Sequence, residues 1–276
     1  SLHSVAESGD MPHLQQTAIS GFAATLESVL QRVTPAAWTS MSTGARPEVH
    51  GLHDFRYYDP FSGDEGFATF DRVRVPTIWE LGAENLGPTV VVNLPTMFPP
   101  PDLQGGICVS GFDAPFGQAP ITAPANLEAE LIDRFPDFYE LKHIDADRSK
   151  PEWRTAYTKQ AMEATKRECD VGLYCLQKRD WRLGMVQFQT IDGYQHNMWS
   201  RIEQGAGDEN VKAFYQNLDR QIGRLLDYGL DRGADVLLVS DHGFQASTGK
   251  LVNVNSMLHS AGLLNVSQTG ATTERS

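Results

Sequence analysis

The chain has 276 residues, 41% of them hydrophobic and 21% charged, with a formal net charge of −12. That much apolar material fills the core of one large α/β domain or two small ones and excludes disorder as the main state. The acidic balance excludes a surface that coats DNA or RNA, which needs clustered Lys and Arg. Small phosphorylated substrates stay open, because bound metal ions supply positive charge locally. No apolar run approaches the ~18 residues of a membrane span, and no signal peptide opens the chain. Cys108, Cys169 and Cys175 form no CxxC pair. They read as buried thiols in a reducing compartment, so a soluble, cytoplasmic protein is the expectation.

Apolar residues at Leu14, Ala18, Phe22, Leu26 and Val29 have helical spacing and predict a helix from Met11 to Leu30. Thr34-Pro35 then opens a shorter helix toward Gly44, with Thr34 as N-cap and Pro35 at the first helical position. Thr89 to Asn93 is β-branched and bounded by prolines, which predicts a buried strand. The Pro/Gly-rich stretch 93–126 is too long for an ordinary connection and reads as a functional or mobile loop on the substrate side. Ser149, with Glu152 three residues on, predicts a capping box for a long helix bearing Trp153, Tyr157, Met162 and Leu176 on its apolar face. Leu183 to Ile191 reads as a strand, Val211 to Leu225 as an amphipathic helix, and Asp235 to Ser240 as a second strand. Strand, helix and strand imply a parallel, right-handed βαβ unit. The expected fold is therefore α/β: a mainly parallel sheet with helices on both faces.

In such sheets ligands gather beyond the carboxyl ends of the strands. Asp192 follows the first predicted strand and Asp241-His242 follow the second, so both groups should face one crevice. Asp192 and His196, four residues apart, share one face of a helical turn and are near enough to share a metal. Taken alone that pair is a weak signal, and capping by Asp192 is the plainer reading of it. Asp241-His242-Gly243 is more telling: it sits where the chain turns, so both side chains can reach one ion, and a solvated pair in a turn explains it equally well. Asp and His are ligand types that zinc accepts, and neither an HExxH motif nor a cysteine cluster offers a rival site. At Thr34 a hydroxyl at a helix N-terminus lies in a positive local field beside free N–H groups, which suits a bound phosphate as well as it suits a cap.

Thr34-Pro-Ala-Ala-Trp-Thr-Ser-Met-Ser-Thr-Gly44, then Pro47, His50-Gly51 and His53-Asp54-Phe55, resembles the nucleophile segment of the type I phosphodiesterase/nucleotide pyrophosphatase family of the alkaline-phosphatase superfamily. Asp192-x-x-x-His196 and Ser240-Asp241-His242-Gly243-Phe244 are similar to that family's metal segments, in the same order. The resemblance implies an alkaline-phosphatase-like α/β/α sandwich that is a partial catalytic domain over residues 1–276, truncated at both ends. It implies two divalent metal ions, zinc by preference. Asp192 and His196 would hold one, and Asp241, His242 and the Thr34 oxygen the other, while Thr34 carries the phosphoryl group. A further Asp ligand would precede Ser1 and a further His would follow Ser276, so the chain by itself is expected to be weakly active or inactive.

Three alternatives compete. A sulfatase needs a C-x-P-x-R site, and Cys175-Leu-Gln-Lys-Arg179 lacks the proline. Phosphate-transferring mutases of the superfamily keep a similar metal core. A non-catalytic remnant of the fold is the third, and retention of every visible ligand type argues against it.

Overall fold

The computed structural model describes residues 9–59, 61–138, 144–204, 207–247, 249 and 252–265. They fall into two compact units, one ending at Phe244 and one beginning at Gln245. The second unit contributes a single helix, Val254–Ser260, capped by the Asn253 side chain accepting from the Ser256 N–H. Everything that follows concerns the first unit.

Its centre is a four-stranded sheet in the order β5-β4-β3-β6. Strand β3 (Thr89–Leu94) runs parallel to β4 (Ile107–Ser110) and to β6 (Leu183–Val186), and β5 (Thr122–Ala123) is antiparallel to β4. All six residues of β3 are buried, as a β-branched run between two neighbours should be. The stretch 93–126 is accordingly not one loop, because Ile107–Ser110 and Thr122–Ala123 return to the sheet. These apolar and β-branched runs are too short to stand out from the surrounding Pro and Gly.

Alternation along the strands divides the core. Val90, Val92, Ile107 and Val109 face helices α5 (Leu127–Arg134) and α6 (Trp153–Gln177), meeting Leu131, Val171 and Cys175. Val91, Leu94 and Cys108 face the other way, against Trp38 of α2 (Thr34–Thr43) and Trp79 of α4 (Ile78–Asn85). The sheet is thus sandwiched between helices. Helix α6 approaches β6 closely: a Cβ on Gly172 would lie 2.6 Å from a methyl of Val186. Outside α6 lie α7 (Thr190–Glu203) and α8 (Glu209–Asp231), joined by a cluster in which the Tyr194 ring stacks on Phe214 at 3.7 Å between centroids. After α2 a short turn, α3 (Pro47–His50), leads into a hairpin of β1 (Arg56–Tyr58) and β2 (Glu65–Phe67).

Several expectations need correction. Helix α1 covers only Pro12–Ser20. Phe22, Leu26 and Leu30, which should have continued its apolar face, are exposed, and a helix face without a packing partner gains little. What holds α1 is the buried Asp219 of α8, which accepts from the N–H groups of His13 and Leu14 and meets His13 Nδ1 at 2.7 Å. The capping box at Ser149 is absent, since Asp147 accepts from the Ser149 N–H and hydroxyl and α6 begins at Trp153. A complete box closes at Thr77 and Glu80 instead. The predicted strand Asp235–Ser240 forms no ladder: Leu237 is 82% exposed, and the βαβ unit lacks its last strand. Two helices, not one, connect β6 to that segment.

Candidate active site

Thr34 is the first residue of α2, which thus begins one residue earlier than expected. Val33 is the N-cap, its carbonyl accepting from the Ala37 N–H, and no side chain caps the helix. The half-buried Thr34 hydroxyl makes no hydrogen bond among the described residues. Capping therefore does not explain it. The helix is well seated, with Pro35 to Thr39 buried and Gly44 ending it at φ 65°, a left-handed turn suited to glycine. His50 locks α2 to the following turn: its Nδ1 accepts from the Leu52 N–H and its Nε2 lies 2.9 Å from Ser40 Oγ. Burial and the neighbouring His53 pull the His50 pKa down, against opposing effects of a backbone bond at Ala36 and the Glu48 charge.

Asp192 lies in the first turn of α7, after β6 has ended at Val186, and not directly on the strand's end. One turn on, His196 Nε2 is 3.6 Å from Asp192 Oδ1, and the imidazole is mostly exposed. At the second group, His242 Nε2 is 3.4 Å from Asp241 Oδ2 and both side chains are largely covered. Phe244, two residues beyond His242, packs its ring edge-on against His196 at 4.7 Å and tilted against Trp199 at 4.9 Å. Val239, partly buried, packs against the core cluster that contains Trp38 and Val91, although its segment is unladdered. Ser28, six residues before Thr34, donates its hydroxyl to the Asp241 carbonyl.

Asp241 shows what the arrangement wants. Its Oδ2 is buried without a hydrogen-bond partner, and burial raises its pKa against the opposing pull of the His242 ring and of backbone hydrogen bonds at Asp241 and His242, with the Asp192 charge adding a smaller upward push. Buried negative charge of this kind calls for a cation, and the donor types around it are those of zinc. The residues present fit a divalent ion in that respect. Among the described residues, however, no three His, Cys, Asp or Glu side chains converge on one point. Thr34 has no bond to any of the four. The cysteines take no part: burial pushes the thiols of Cys169 and Cys175 up to about 12 and that of Cys108 higher still.

Sequence reading missed Glu168 and Asn93, which tie α7 to the sheet. The signal was available: Glu168 interrupts the buried stripe Ala161, Ala164, Val171, Cys175 on α6, where a charge is out of place without a partner.

A parallel-cored sheet between helix layers gives the chain an alkaline-phosphatase-like α/β fold. The sequence profile described as Type I phosphodiesterase / nucleotide pyrophosphatase matches residues 3–275, and the chain belongs to that family. Two structures of phosphonoacetate hydrolase from Sinorhizobium meliloti 1021 share the fold, one in complex with phosphonoformate and one with phosphonoacetate. Their TM-scores are 0.52 and 0.51, each at 18% identity, over 83% of this chain and 50% of that one. The chain thus spans half the length of that enzyme. No protein of curated function matches the sequence. Among the described residues no helix is long and apolar enough to cross a membrane.

Proposed function

We propose that the protein is a metal-dependent hydrolase of small phosphate esters, of phosphodiesterase or pyrophosphatase type, acting through a phosphorylated Thr34. What supports this reading is membership of this family together with the contact of the Phe244 ring, two residues beyond His242, with His196, and a buried Asp241 Oδ2 that faces His242 at 3.4 Å without a hydrogen bond. Asp192 and His196 would hold one divalent ion, and Asp241 and His242 the other, with zinc the metal that these donors favour. Bound ions would supply Lewis acidity and neutralise charge on the phosphoryl oxygens.

The chain's own groups define the rest. The Thr34 oxygen attacks phosphorus as the P–O bond to the leaving alcohol breaks, the hydroxyl proton ending on the departing oxygen; water then attacks the phospho-threonine, its oxygen leaving in the phosphate product and one of its protons restoring the Thr34 hydroxyl. In the first turn of α2 Pro35 has no N–H and Ala37 is bonded to Val33, which leaves the Ala36 N–H without a backbone partner among the described residues. That end of the helix favours an anion next to Thr34. Phosphonate substrates belong to the similar enzyme, and whether they are shared is a question for the same assay.

The test is hydrolysis of bis(4-nitrophenyl) phosphate by the intact protein after chelation and again after adding zinc, with mass spectrometry of acid-quenched samples. The expected result is turnover that vanishes with chelator, returns with zinc, and leaves a phosphoryl adduct on Thr34. Full activity in chelator would sink the reading.

A further inference from the structure

We infer that Glu168 is a positioning residue for Asp192 and His196, an inference that rests on the metal assignment above. Glu168 projects from α6, yet its Oε1 accepts from both the backbone N–H (3.0 Å) and the hydroxyl (2.9 Å) of Thr190, the first residue of α7. A carboxylate at a helix N-terminus satisfies orphan donors and complements the helix dipole. Here it comes from another helix, so it also fixes where α7 starts. Asn93, at the carboxyl end of β3 with φ 66°, reaches toward the same oxygen and donates to the Gln187 carbonyl at 3.0 Å. From Gln187 a side-chain relay continues: its Nε2 donates to Gln189 Oε1 at 2.9 Å, and Gln189 Nε2 reaches Asp192 Oδ2 at 3.5 Å.

The α6 carboxylate and the strand end thus set the start of α7 and, through Gln189, the direction of the Asp192 carboxylate. His196 follows, because it is one turn further along the same rigid helix. Groups that orient metal ligands in this way affect metal affinity by about 10–100-fold. A purely structural Glu168 would change stability and leave the affinity of the folded protein alone.

The experiment measures zinc affinity of the intact protein by competition with a chromophoric chelator, together with hydrogen exchange across residues 187–196. Glu168→Ala should weaken zinc binding by about 10–100-fold and deprotect the first turn of α7. Glu168→Gln should recover most of the loss, because its carbonyl oxygen still accepts from Thr190. Thr190→Val removes one of the two bonds by a near-isosteric change, should weaken binding several-fold, and serves if Glu168→Ala does not fold. Asp192→Asn is the control and should weaken zinc binding more than any of these. Folded Glu168→Ala or Thr190→Val protein binding zinc within twofold of the parent, while Asp192→Asn fails, would overturn the role of Glu168 alone. Parent-like zinc binding by Asp192→Asn would overturn the metal assignment itself, and this inference with it.

Discussion

The two halves of the candidate site are built differently. Asp192 and His196 ride on α7, whose inner face is packed through Tyr194 and Met198 against α6 and α8 and whose first turn is tied to Glu168. Asp241 and His242 lie on a segment with no ladder, flanked by exposed Val236, Leu237 and Leu238. It is held by Val239 in the core, by Phe244 against α7, and by the hydroxyl of Ser28. One half is preorganised by packing, and the other has its position through a few contacts. A helix face stays fixed with or without a ligand. The second half, where Asp241 Oδ2 is buried without a hydrogen bond and has the His242 ring at 3.4 Å, gains most from a bound cation.

The largest effect should come from a residue outside both halves. Thr34→Ala should cost at least ~10³-fold in turnover while metal content is unchanged, measured by steady-state assay and elemental analysis. Because Thr34 makes no capping bond, its loss should cost less stability than the ~1 kcal/mol of a true cap. Thr34→Ser should keep partial activity. A folded, metal-loaded and fully active Thr34→Ala protein would leave water as the direct attacker.

Next comes the packed half. Phe214 is fully buried beneath Tyr194, so Phe214→Ala should destabilise the protein by about 3–5 kcal/mol in denaturant unfolding. A cost below about 1 kcal/mol would show that α7 is not fixed by this cluster.

The pH dependence of the α2 seat should be smaller. Burial lowers the His50 pKa from 6.5, so the unfolded chain binds the proton more readily than the folded one. Stability from neutral His50 is present above the unfolded value and is lost as pH falls through the lower folded one. Parent protein should lose stability in that window, and His50→Gln should lose less over the same window. Identical pH profiles for the two would contradict this.

The smallest effect belongs to the loosely held half. Ser28→Ala removes one hydrogen bond, about 1 kcal/mol, and should raise hydrogen exchange in 235–244 while sparing 190–203. Equal change in both segments would mean that the halves are not independent.

The same contrast governs what was legible in the sequence. Where a local pattern and its packing agree, reading succeeded: the β-branched run of β3, the amphipathic period of α8 and the Pro-initiated α2 all lie where residue types place them. Helix α1 failed because Phe22, Leu26 and Leu30 have the period but no surface to pack on. The 235–240 segment failed for a related reason, since a β-branched run becomes a strand only when a neighbour offers its edge. Asp192, His196, Asp241 and His242 were singled out as candidates from their spacing and from expected strand ends, of which only that of β6 forms, at Val186. Their mutual approach depends on Phe244 and on the Glu168 tie, both long-range contacts without a local signature. Thr34 was read as a cap because Thr-Pro is a strong start signal, and Val33, with extended backbone and no polar side chain, gave no competing one.

The central claim is that a metal centre joins the two halves, and crystals of the intact protein grown with zinc test it most directly by anomalous diffraction at the zinc edge. The account predicts two peaks roughly 4 Å apart. Asp192 and His196 should lie about 2 Å from one and Asp241 and His242 about 2 Å from the other. Zinc bound elsewhere, with all four side chains left unliganded, would contradict it.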